Sequence, residues 1–490
     1  MGQLTENKPK CLISVNGTTI LQTISVAFPN ATLHIIGDYK IDILQNYLEA
    51  VEPDFKYDII KAEGKGTNAG ISTALKVIPN GELFAISWAD LFYQSPILSK
   101  YENKNYIGLT NSNKCRYSYE DSKFKENDTN SNGVIGLFLF KDKKLLSALP
   151  DDGEFVKFLA QTNIEFFPLF VDSVREIGTI DSYLSFKSQF PVSRFFNNIE
   201  IKDDTITKRA SNPKFKHLLV DEINWYRYME SNGFTGIPKV QSFEPFKLER
   251  IRGMHPQQIK GLSYNDKTRI IENIIRRLNE VHSLETAPVE PSDLYSVYVN
   301  KTLERIRPVT RMLGLNSKKR FIINGKKIES VTQDDREIIM NLYNKLSPIH
   351  SFCPIHGDPT FSNTLVMDKS EIKFIDPRGY FGNSKIFGDP RYDFAKLYYS
   401  SVGNYDQFNS QNFEVRYQSG NITVKLGSSG FEETCFLFEN NVNLMRDIEI
   451  IHPLIWLSLS GYFINDVDSM IGSYFHGLEL ISELIDKYGL

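Results

Sequence analysis

Cysteine is scarce in this sequence. Only four are present among 490 residues, and no two of them stand at the spacing of a metal-binding pair. The four are Cys11, Cys115, Cys353 and Cys435. Their scatter argues against a disulfide framework or a zinc site and favours buried thiols in a reducing compartment.

Long apolar runs and a strong charge of one sign are also missing. No stretch approaches the roughly 20 apolar residues that a membrane-spanning helix needs, and the polar opening residues do not form a signal peptide. The net charge of −4 combines 56 basic with 60 acidic residues, which does not indicate a polyanion-binding surface. We therefore expect a cytoplasmic protein without membrane insertion or nucleic-acid binding. The sequence does not indicate its oligomeric state.

The length of the chain predicts more than one domain. A chain of 490 residues exceeds what one core usually holds, and 41% hydrophobic residues are enough to bury two cores. Pro191 follows the last helical pattern of the first part of the chain. We therefore predict one domain over residues 1–190 and a second over residues 191–490.

The most informative segment reads His-Gly-Asp-Pro-Thr-Phe-Ser-Asn at 356–363 and is followed by Ile-Asp-Pro-Arg-Gly at 375–379. Between the two blocks, the residue pattern predicts two short strands joined by a turn. In an antiparallel hairpin the start of one strand lies beside the end of the other. Asn363 and Asp376 are therefore predicted to meet, with Asp358 only a loop away.

These three side chains have the chemistry that phosphoryl transfer from ATP requires. Carboxylate and amide oxygens are hard ligands that suit Mg²⁺, so Asp376 and Asn363 are predicted to hold the metal. An ionised Asp358 accepts hydrogen bonds without donating, which suits it to engage the attacking hydroxyl as a base. His356 is interpreted as a structural loop residue.

The two blocks resemble the catalytic core of the aminoglycoside phosphotransferase and choline kinase family, distant relatives of protein kinases. The similarity continues through Gly-Asp-Pro-Arg-Tyr-Asp-Phe-Ala at 388–395, where Asp389 and Asp393 would be scaffold carboxylates. Three ordered blocks argue against an ordinary turn. The resemblance implies an α+β protein-kinase-like fold, with an N-lobe at 191–252 and a C-lobe at 253–490. It also implies ATP and Mg²⁺ as cofactors and a small-molecule hydroxyl as phosphate acceptor.

A kinase lobe should contain a lysine on a strand that pairs with a glutamate on a helix. A helical pattern at about 214–230 places Glu222 within its apolar stripe. Leaving a buried carboxylate unpaired costs on the order of several kcal/mol, so it protonates or a cation reaches it. Lys208, on a predicted hairpin, is the candidate cation, and the pair resembles the one that positions ATP phosphates in kinases. Taken alone, Lys208 would be interpreted as a solvated strand lysine.

Other parts of the second domain are less specific. The backbone at Glu249 and Ile251 is predicted to be the hinge that binds adenine. No glycine-rich loop precedes Lys208 and no activation segment is present, so a protein substrate is not expected. Alternating residues at 413–417 and 422–426 predict a hairpin, either a flap over the acceptor or a surface element.

The first part of the chain alternates strand and helix patterns. Strands are predicted at 32–37, 57–61 and 83–87, with helices between them. This pattern predicts an α/β domain with an open, mostly parallel, Rossmann-like sheet, whose ligands bind beyond the carboxyl ends of the strands, where Asp90 stands. The segment 126–133, rich in Asn, Asp and Ser, is predicted to be a loop.

Four short blocks in this part resemble the sugar-phosphate nucleotidyltransferases, which implies a GT-A-like fold. They lie at 8–12, 66–70, 90 and 176–179. The resemblance implies that Lys10 contacts phosphate, that the backbone near Gly66 and Thr67 approaches the nucleotide, and that Asp90 and Glu176 hold Mg²⁺.

The sequence departs from that family at its start. Family members open with a strand and a glycine-rich loop that cradles the triphosphate through backbone N–H groups, whereas this chain begins at Met1-Gly2. Ala89 and Glu176 also stand where the family usually has glycine and aspartate. We therefore expect an N-terminally truncated domain of doubtful transfer activity, which is either a relic that binds or scaffolds or the result of a start codon placed too late.

The leading hypothesis is an ATP-dependent kinase that phosphorylates a hydroxyl of a sugar, amino alcohol or similar metabolite, in cell-surface polysaccharide biosynthesis. Two alternatives stay open. One is a bifunctional kinase and nucleotidyltransferase that makes a nucleotide-activated precursor. The other is a non-catalytic nucleotide-binding scaffold.

Overall fold

The computed structural model describes residues 2–97, 103–171, 173–189, 197–367, 371–418, 420–441 and 445–489. The chain divides into two compact units. The N-terminal unit comprises 1–191, 311–314 and 465–467, and the C-terminal unit comprises the remaining residues. The predicted domain boundary falls on residues outside the described part of the chain.

The N-terminal unit contains short helices and mostly short strands. The strands are β1 (Ser14–Val15), β2 (Thr18–Thr19), β3 (Leu33–Gly37), β4 (Tyr57–Lys61), β5 (Phe84–Ser87), β6 (Leu91–Tyr93), β7 (Tyr106–Thr110), β8 (Cys115–Glu120), β9 (Lys123–Thr129), β10 (Gly133–Phe140), β11 (Phe167–Phe170) and β12 (Val174–Glu176). The helices are α1 (Ile20–Ala27), α2 (Ile41–Val51), α3 (Thr67–Leu75), α4 (Phe155–Leu159) and α5 (Ile180–Lys187).

The alternation of strands and helices up to β5 is confirmed, but the prediction of a mostly parallel sheet is wrong. The main sheet has the order β11-β7-β10-β8-β9, with β5 also pairing β10, and within it the β7–β11 pair is parallel. The β3–β4 pair is parallel and stands apart from that sheet. The physical reason is the connection between strands. Strands β8 and β9 are joined by a short turn, which connects antiparallel neighbours, and β10 returns to pair antiparallel with β8, whereas parallel strands need a long crossover.

The predicted loop at 126–133 is also largely wrong, because β9 continues to Thr129 and β10 begins at Gly133. Its polar composition reflects exposure of β9 rather than a lack of strand structure. Strand β10 supplies the core on both of its faces. Leu137 and Leu139 belong to one buried cluster, and Phe138 and Phe140 belong to another. Alternate side chains of a strand point to opposite faces, so an almost entirely apolar strand indicates a sheet covered on both sides.

The described part of the C-terminal unit combines four small antiparallel or mixed sheets with many helices. The strands are β13 (Asn197–Ile201), β14 (Thr205–Ala210), β15 (Val240–Phe243), β16 (Phe246–Glu249), β17 (Arg320–Ile323), β18 (Lys326–Glu329), β19 (Cys353–Pro354), β20 (Thr364–Val366), β21 (Ile372–Phe374), β22 (Phe387–Gly388), β23 (Phe413–Gln418) and β24 (Asn421–Leu426). The helices are α6 (Lys216–Ser231), α7 (Tyr264–His282), α8 (Pro291–Tyr295), α9 (Lys301–Met312), α10 (Glu337–Asn344), α11 (Pro390–Ser401), α12 (Tyr405–Asn409), α13 (Phe436–Asn441), α14 (Met445–Ser460) and α15 (Val467–Tyr488).

The first sheet of this unit carries the predicted hairpin and faces the predicted helix. It has the order β13-β14-β16-β15, and all of its pairs are antiparallel. Helix α6 buries Trp225, Tyr226 and Met229 together with Glu222, so the apolar stripe is confirmed. The motif hairpin is confirmed as well, since β20 and β21 pair antiparallel with Thr364 opposite Phe374.

The predicted hairpin β23–β24 is present, but it does not stand alone. Strand β24 pairs in parallel with β17, which itself pairs with β18, and the four strands form one sheet. The Tyr417 and Phe321 rings of this sheet both pack on Phe475 of α15. The hairpin is therefore part of a packed layer. The pairing with β17 was not predicted, because the two segments lie far apart in the sequence.

Helix α14 contains Pro453 inside it. The cysteines agree with the expectation of buried thiols in three of four cases. Cys11, Cys115 and Cys353 are buried free thiols, whereas Cys435 is partly exposed. Among the helices of the described residues, none combines the length and apolar character needed to cross a membrane.

Two glycines with similar backbone conformations provide a test of the packing between the motif loop and α6. Gly379 has a φ of +73°, and a Cβ there would lie 2.4 Å from the backbone oxygen of Asp221 in α6. Gly420 has a φ of +84°, with open space around the same position. We expect Gly379→Ala to lower the free energy of unfolding by about 3 kcal/mol, from strain plus overpacking. Gly420→Ala, from strain alone, should cost about 1 kcal/mol. Thermal unfolding followed by tryptophan fluorescence measures both, and equal losses would contradict the close packing.

Candidate active site

Lys208 lies at the centre of a buried ionic contact with two carboxylates. Its ammonium group, on β14, donates to Oε1 of Glu222 on α6 and to Oδ1 of Asp376, just beyond β21. The Lys208 and Glu222 side chains are only 5% and 7% exposed. Burial on its own would lower the pKa of Lys208, but Asp376 and Glu222 outweigh it and hold the pKa above its ordinary value. The lysine is therefore charged, and the predicted contact with Glu222 is present.

The backbone at Asp376 has an unusual conformation. Its φ is +54°, in the left-handed region that residues other than glycine adopt infrequently. The following turn is fixed because Gly379 abuts the backbone of α6. Strained residues persist where the surrounding structure over-determines them, and they cluster at functional sites. The strain aims the Asp376 carboxylate at Lys208.

Asp358 and Asn363 are joined by direct hydrogen bonds. The Asn363 amide nitrogen donates to Oδ2 of Asp358 at 2.9 Å and to its backbone oxygen at 2.8 Å. The backbone N–H of Ile375 donates to the backbone oxygen of Asn363 at 2.9 Å, which places Asp376 beside this pair as predicted from the hairpin. Asn363 is buried, whereas the Asp358 side chain is 29% exposed. The structure thus brings Asp358, Asn363 and Asp376 together and leaves Asp358 accessible.

The loop that carries Asp358 is held by two buried groups. Both carboxylate oxygens of Asp393 accept backbone N–H groups, from His356 at 2.8 Å and from Gly357 at 2.7 Å. The His356 ring accepts from the Asp358 N–H at Nδ1, so Nε2 carries the proton and donates to the Ile375 oxygen. Burial lowers the pKa of His356 against the opposing charges of Asp393 and Asp358. A neutral ring with both nitrogens in backbone hydrogen bonds supports its interpretation as structural.

Four residues near Asp358 escaped the sequence reasoning, and we call them the cationic cluster: Lys301, Arg378, Tyr392 and Lys396. Lys396 lies 3.1 Å from Oδ1 of Asp358. The Tyr392 hydroxyl lies 3.1 Å from Arg378 Nη1 and 3.2 Å from Lys301 Nζ. Arg378 and Tyr392 lie inside the quoted motifs, which was the available signal. Lys301 is 91 positions away from Tyr392, and nothing local indicated it.

The predicted hinge is placed at the end of β16. The N–H of Glu249 already donates to the Lys239 oxygen at 2.9 Å, so it has no role for a ligand. Within the described chain, no backbone oxygen accepts from the Ile251 N–H. Of the two residues, Ile251 is therefore the one whose N–H has no backbone acceptor among the described residues.

In the N-terminal unit, Lys10, Asp90 and Glu176 are brought together. Lys10 lies 2.8 Å from Oδ2 of Asp90. Strand β12 pairs with β6 so that Glu176 is opposite Leu91, and the Ile177 N–H donates to the backbone oxygen of Asp90 at 2.9 Å. Burial, and then the charge of Asp90, raise the pKa of Glu176, while Lys10 opposes them. The other carboxylate oxygen of Asp90, Oδ1, is buried and has no hydrogen-bond partner in the described part of the unit.

Gly66 and Thr67 belong to a different contact. Gly66 has a φ of +79°, and a Cβ there would lie 2.4 Å from the Gly153 oxygen. The Thr67 hydroxyl accepts from the Phe155 N–H at 2.8 Å. Among the described residues, no hydrogen bond or ion pair joins Gly66 or Thr67 to Lys10, Asp90 or Glu176. The structure therefore does not bring the two halves of this predicted site into direct contact.

The described residues of the two units form no preformed metal cage. Among the described residues, no group of three or more histidine, cysteine or acidic side chains is arranged to hold a metal ion. A metal bound at Asp376 and Asn363, or at Asp90 and Glu176, would take its remaining ligands from water or substrate, which is the usual manner of Mg²⁺.

Comparison with known proteins gives no sequence relative. No family model matches, and no curated protein does. Three similar solved structures are the GDP complex of aminoglycoside 2'-phosphotransferase-IIIa, choline kinase from Cryptosporidium parvum Iowa II and HddC from Yersinia pseudotuberculosis. The first two are 14% and 15% identical, cover 63% and 60% of this chain and 99% and 88% of their own, and have TM-scores of 0.36 and 0.37. HddC is 18% identical, covers 38% of this chain and 94% of its own, and has a TM-score of 0.33. A nucleoside-diphosphate-sugar pyrophosphorylase from Vibrio cholerae also matches.

The chain is similar to both groups. The solved structures thus include the two groups that the motifs resemble, phosphotransferases and choline kinases on one side and a nucleotide-sugar pyrophosphorylase on the other.

Lys208→Met tests the ionic contact. The substitution leaves the buried Glu222 carboxylate without its cation, which should lower the free energy of unfolding by about 3 kcal/mol at pH 8. An unpaired buried carboxyl has a raised folded-state pKa, so the folded variant binds the proton more tightly than the unfolded chain does. Its stability deficit should therefore shrink as the pH falls towards 5. Denaturant unfolding at several pH values measures this.

Arg209→Met is the matched control, on the same strand, because Arg209 is 59% exposed and its partner Glu200 is 44% exposed. It should change stability little and without this pH dependence. A Lys208→Met deficit that is small, or that grows as the pH falls, would contradict the proposed charge balance.

Proposed function

We propose that the C-terminal unit transfers the γ-phosphoryl group of ATP to a hydroxyl of a small molecule. The observation that carries the proposal is the convergence of Asp358, Asn363, Asp376 and Lys208 around one partly open position. Phosphoryl transfer is catalysed mainly by positioning and charge stabilisation, and these groups provide both.

Each residue has a role in this proposal. Lys208, held by Glu222, binds oxygens of the triphosphate. Asp358 accepts the proton of the acceptor hydroxyl as its oxygen forms the bond to phosphorus. The bond between the γ-phosphorus and the bridging oxygen breaks, and ADP leaves with that electron pair. The N–H of Ile251 is the proposed contact for adenine. ATP use supports a cytoplasmic location.

Mg²⁺ fits the remaining donors. The Asn363 amide nitrogen is turned towards Asp358, so its oxygen faces the other way, and Asp376 supplies a carboxylate that is 20% exposed. Both are hard oxygen donors. Magnesium held there would neutralise charge on the triphosphate oxygens.

Asp358→Asn tests the role of the base. The substitution keeps the size of the side chain and removes its capacity to accept the proton, so kcat should fall by roughly 10²–10⁴-fold. The affinity for ATP, measured by calorimetry, should change less than a few-fold. Transfer from labelled ATP is measured over a panel of sugars, amino alcohols and their acidic or phosphorylated forms. Asp334→Asn, at an exposed position, is the control.

Unchanged transfer by Asp358→Asn would contradict the assignment of the base. ATP binding that depends on Mg²⁺, without transfer to any acceptor, would favour the alternative of a non-catalytic scaffold.

A second function is favoured by the unpartnered Asp90 oxygen. We propose that Asp90 and Glu176 hold a divalent cation and that Lys10 contacts a phosphate bound to it. The two units together support a sequence in which a metabolite is phosphorylated and then activated as a nucleotide conjugate, as in cell-surface polysaccharide synthesis.

Asp90→Asn tests this second site. In an Asp376→Asn background, which removes the carboxylate ligand proposed for the C-terminal unit, the full chain should bind Mn²⁺ with an affinity that Asp90→Asn lowers at least ten-fold. Paramagnetic resonance of free Mn²⁺ measures the binding. Asp58→Asn is the control, since its side chain is 64% exposed. Equal Mn²⁺ affinity in all three proteins would remove the metal site from the N-terminal unit.

A further inference from the structure

The two oxygens of the Asp358 carboxylate have different neighbours. Oδ2 accepts from Asn363, the proposed metal ligand, at 2.9 Å. Oδ1 lies 3.1 Å from Lys396, a member of the cationic cluster. The cluster therefore lies at Oδ1 of Asp358, whereas the proposed metal ligand Asn363 lies at Oδ2. Since the phosphate donor belongs with the metal, the acceptor is expected on the side of the cluster.

The members of the cluster lie close enough to act on one ligand. Tyr392 joins Lys301 and Arg378 through its hydroxyl, and Arg378 Nη2 lies 3.0 Å from the Tyr380 hydroxyl. The Arg378 side chain also packs over Gly357, where a Cβ would lie 2.8 Å from it. Lys396 and Lys301 are partly exposed, so a ligand can reach them.

This cluster contains no carboxylate of its own. In the described part of the chain, no carboxylate forms an ion pair with Lys301 or Arg378, and the three cations face Asp358 alone. Burial, together with Arg378 and Lys396, lowers the pKa of Lys301 to about 7. Burial raises the pKa of Tyr392, but Lys301, Lys396 and Arg378 outweigh it and lower that pKa to about 7. Since both pKa values lie near neutral pH, Tyr392 balances the charge of Lys301, and the net positive charge of the cluster comes from Arg378 and Lys396.

Helix α11, which carries Tyr392 and Lys396, also carries a buried arginine whose charge is balanced within the fold. Arg391 of α11 lies 2.6 Å from Asp389 and 2.9 Å from Asp447, so two carboxylates balance it. Lys396 also lies on α11. Among the described residues, Asp358 is the one carboxylate that faces Lys396, Lys301 and Arg378. Burying a charge costs free energy unless an opposite charge balances it. The missing partner is best supplied by a ligand.

We propose that the cationic cluster binds an anionic group of the acceptor, so that the phosphorylated molecule is itself a phosphate ester or an acid rather than a neutral sugar or an amino alcohol. This inference rests on the proposed phosphoryl transfer at Asp358. Arg378 offers a planar pair of donors that suits phosphate and carboxylate oxygens alike. Lys301 and Tyr392 add donors to the same group, and the hydroxyl of the bound molecule then faces Asp358.

The first test measures binding and does not depend on catalysis. The full chain, at constant ionic strength, is titrated with inorganic phosphate and separately with glycerate in a calorimeter. Arg378→Gln and Lys301→Gln should each weaken the binding of at least one of these anions ten-fold or more. Arg276→Gln, at a side chain that is 54% exposed on α7, should leave it unchanged. Thermal unfolding shows whether each variant is folded. If Arg378→Gln does not fold, the binding measured with Lys301→Gln decides the test.

The two anions distinguish the possible ligand groups. Binding of phosphate alone identifies a phosphate ester, and binding of glycerate alone identifies an acid. Absence of binding, or binding that neither variant weakens, overturns the proposal.

The second test measures transfer to matched acceptors. These are glycerol, glycerol 3-phosphate and glycerate, then glucose, glucose 6-phosphate and glucuronate, with ethanolamine and choline as cations. We expect an anionic member to exceed its neutral counterpart in kcat/KM at least 100-fold, and Arg378→Gln to reduce that ratio at least ten-fold through the KM of the acceptor.

The outcomes separate the two proposals. Preferred transfer to neutral or cationic acceptors overturns the anionic acceptor and leaves the kinase function standing. No transfer to any acceptor contradicts the kinase function, and the binding test then decides alone whether the cluster is an anion site.

Discussion

The buried contact of Lys208 with Glu222 and Asp376 is the interaction on which the candidate site depends. It joins three pieces of chain, a strand of the small sheet, helix α6 and the end of the motif hairpin, through one ammonium group. Each of the three charges is too costly to bury alone, and together they compensate one another. The contact therefore selects the one arrangement in which the sheet, the helix and the hairpin meet at this point, and it sets where a bound triphosphate would lie.

Around this contact, the groups proposed to react stand on loops that buried polar residues fix from behind. Asp393 accepts two successive backbone N–H groups of the loop before Asp358, and His356 spans from that loop to the end of β21. Functional residues are commonly carried by loops on a rigid framework. Here the rigidity comes from satisfied hydrogen bonds in the interior. They hold the loop that orients Asp358, although its side chain is partly exposed.

The sequence predicted the parts of the site that follow from local pattern. The hairpin β20–β21, the apolar stripe around Glu222 and the meeting of Asn363 with Asp376 all depend on residue periodicity and strand geometry within short segments. The position of Lys301 depends on how α9 packs against α11, which no local pattern contains. The prediction of mostly parallel strands in the N-terminal sheet was wrong for a related reason. The alternation of strand and helix patterns over the first 90 residues contains no information on how strands β8–β10 pair. A polar strand such as β9 also looks like a loop when only composition is considered.

The pairing of β24 with β17 has a consequence for how the C-terminal unit tolerates change. Although 413–426 looks like an insertion in the linear sequence, its inner strand covers one edge of the β17–β18 hairpin. Excising it would leave β17 with a row of bare backbone donors and acceptors, the kind of edge that recruits strands from other molecules. We therefore expect a chain that lacks this segment to aggregate more readily than the intact chain.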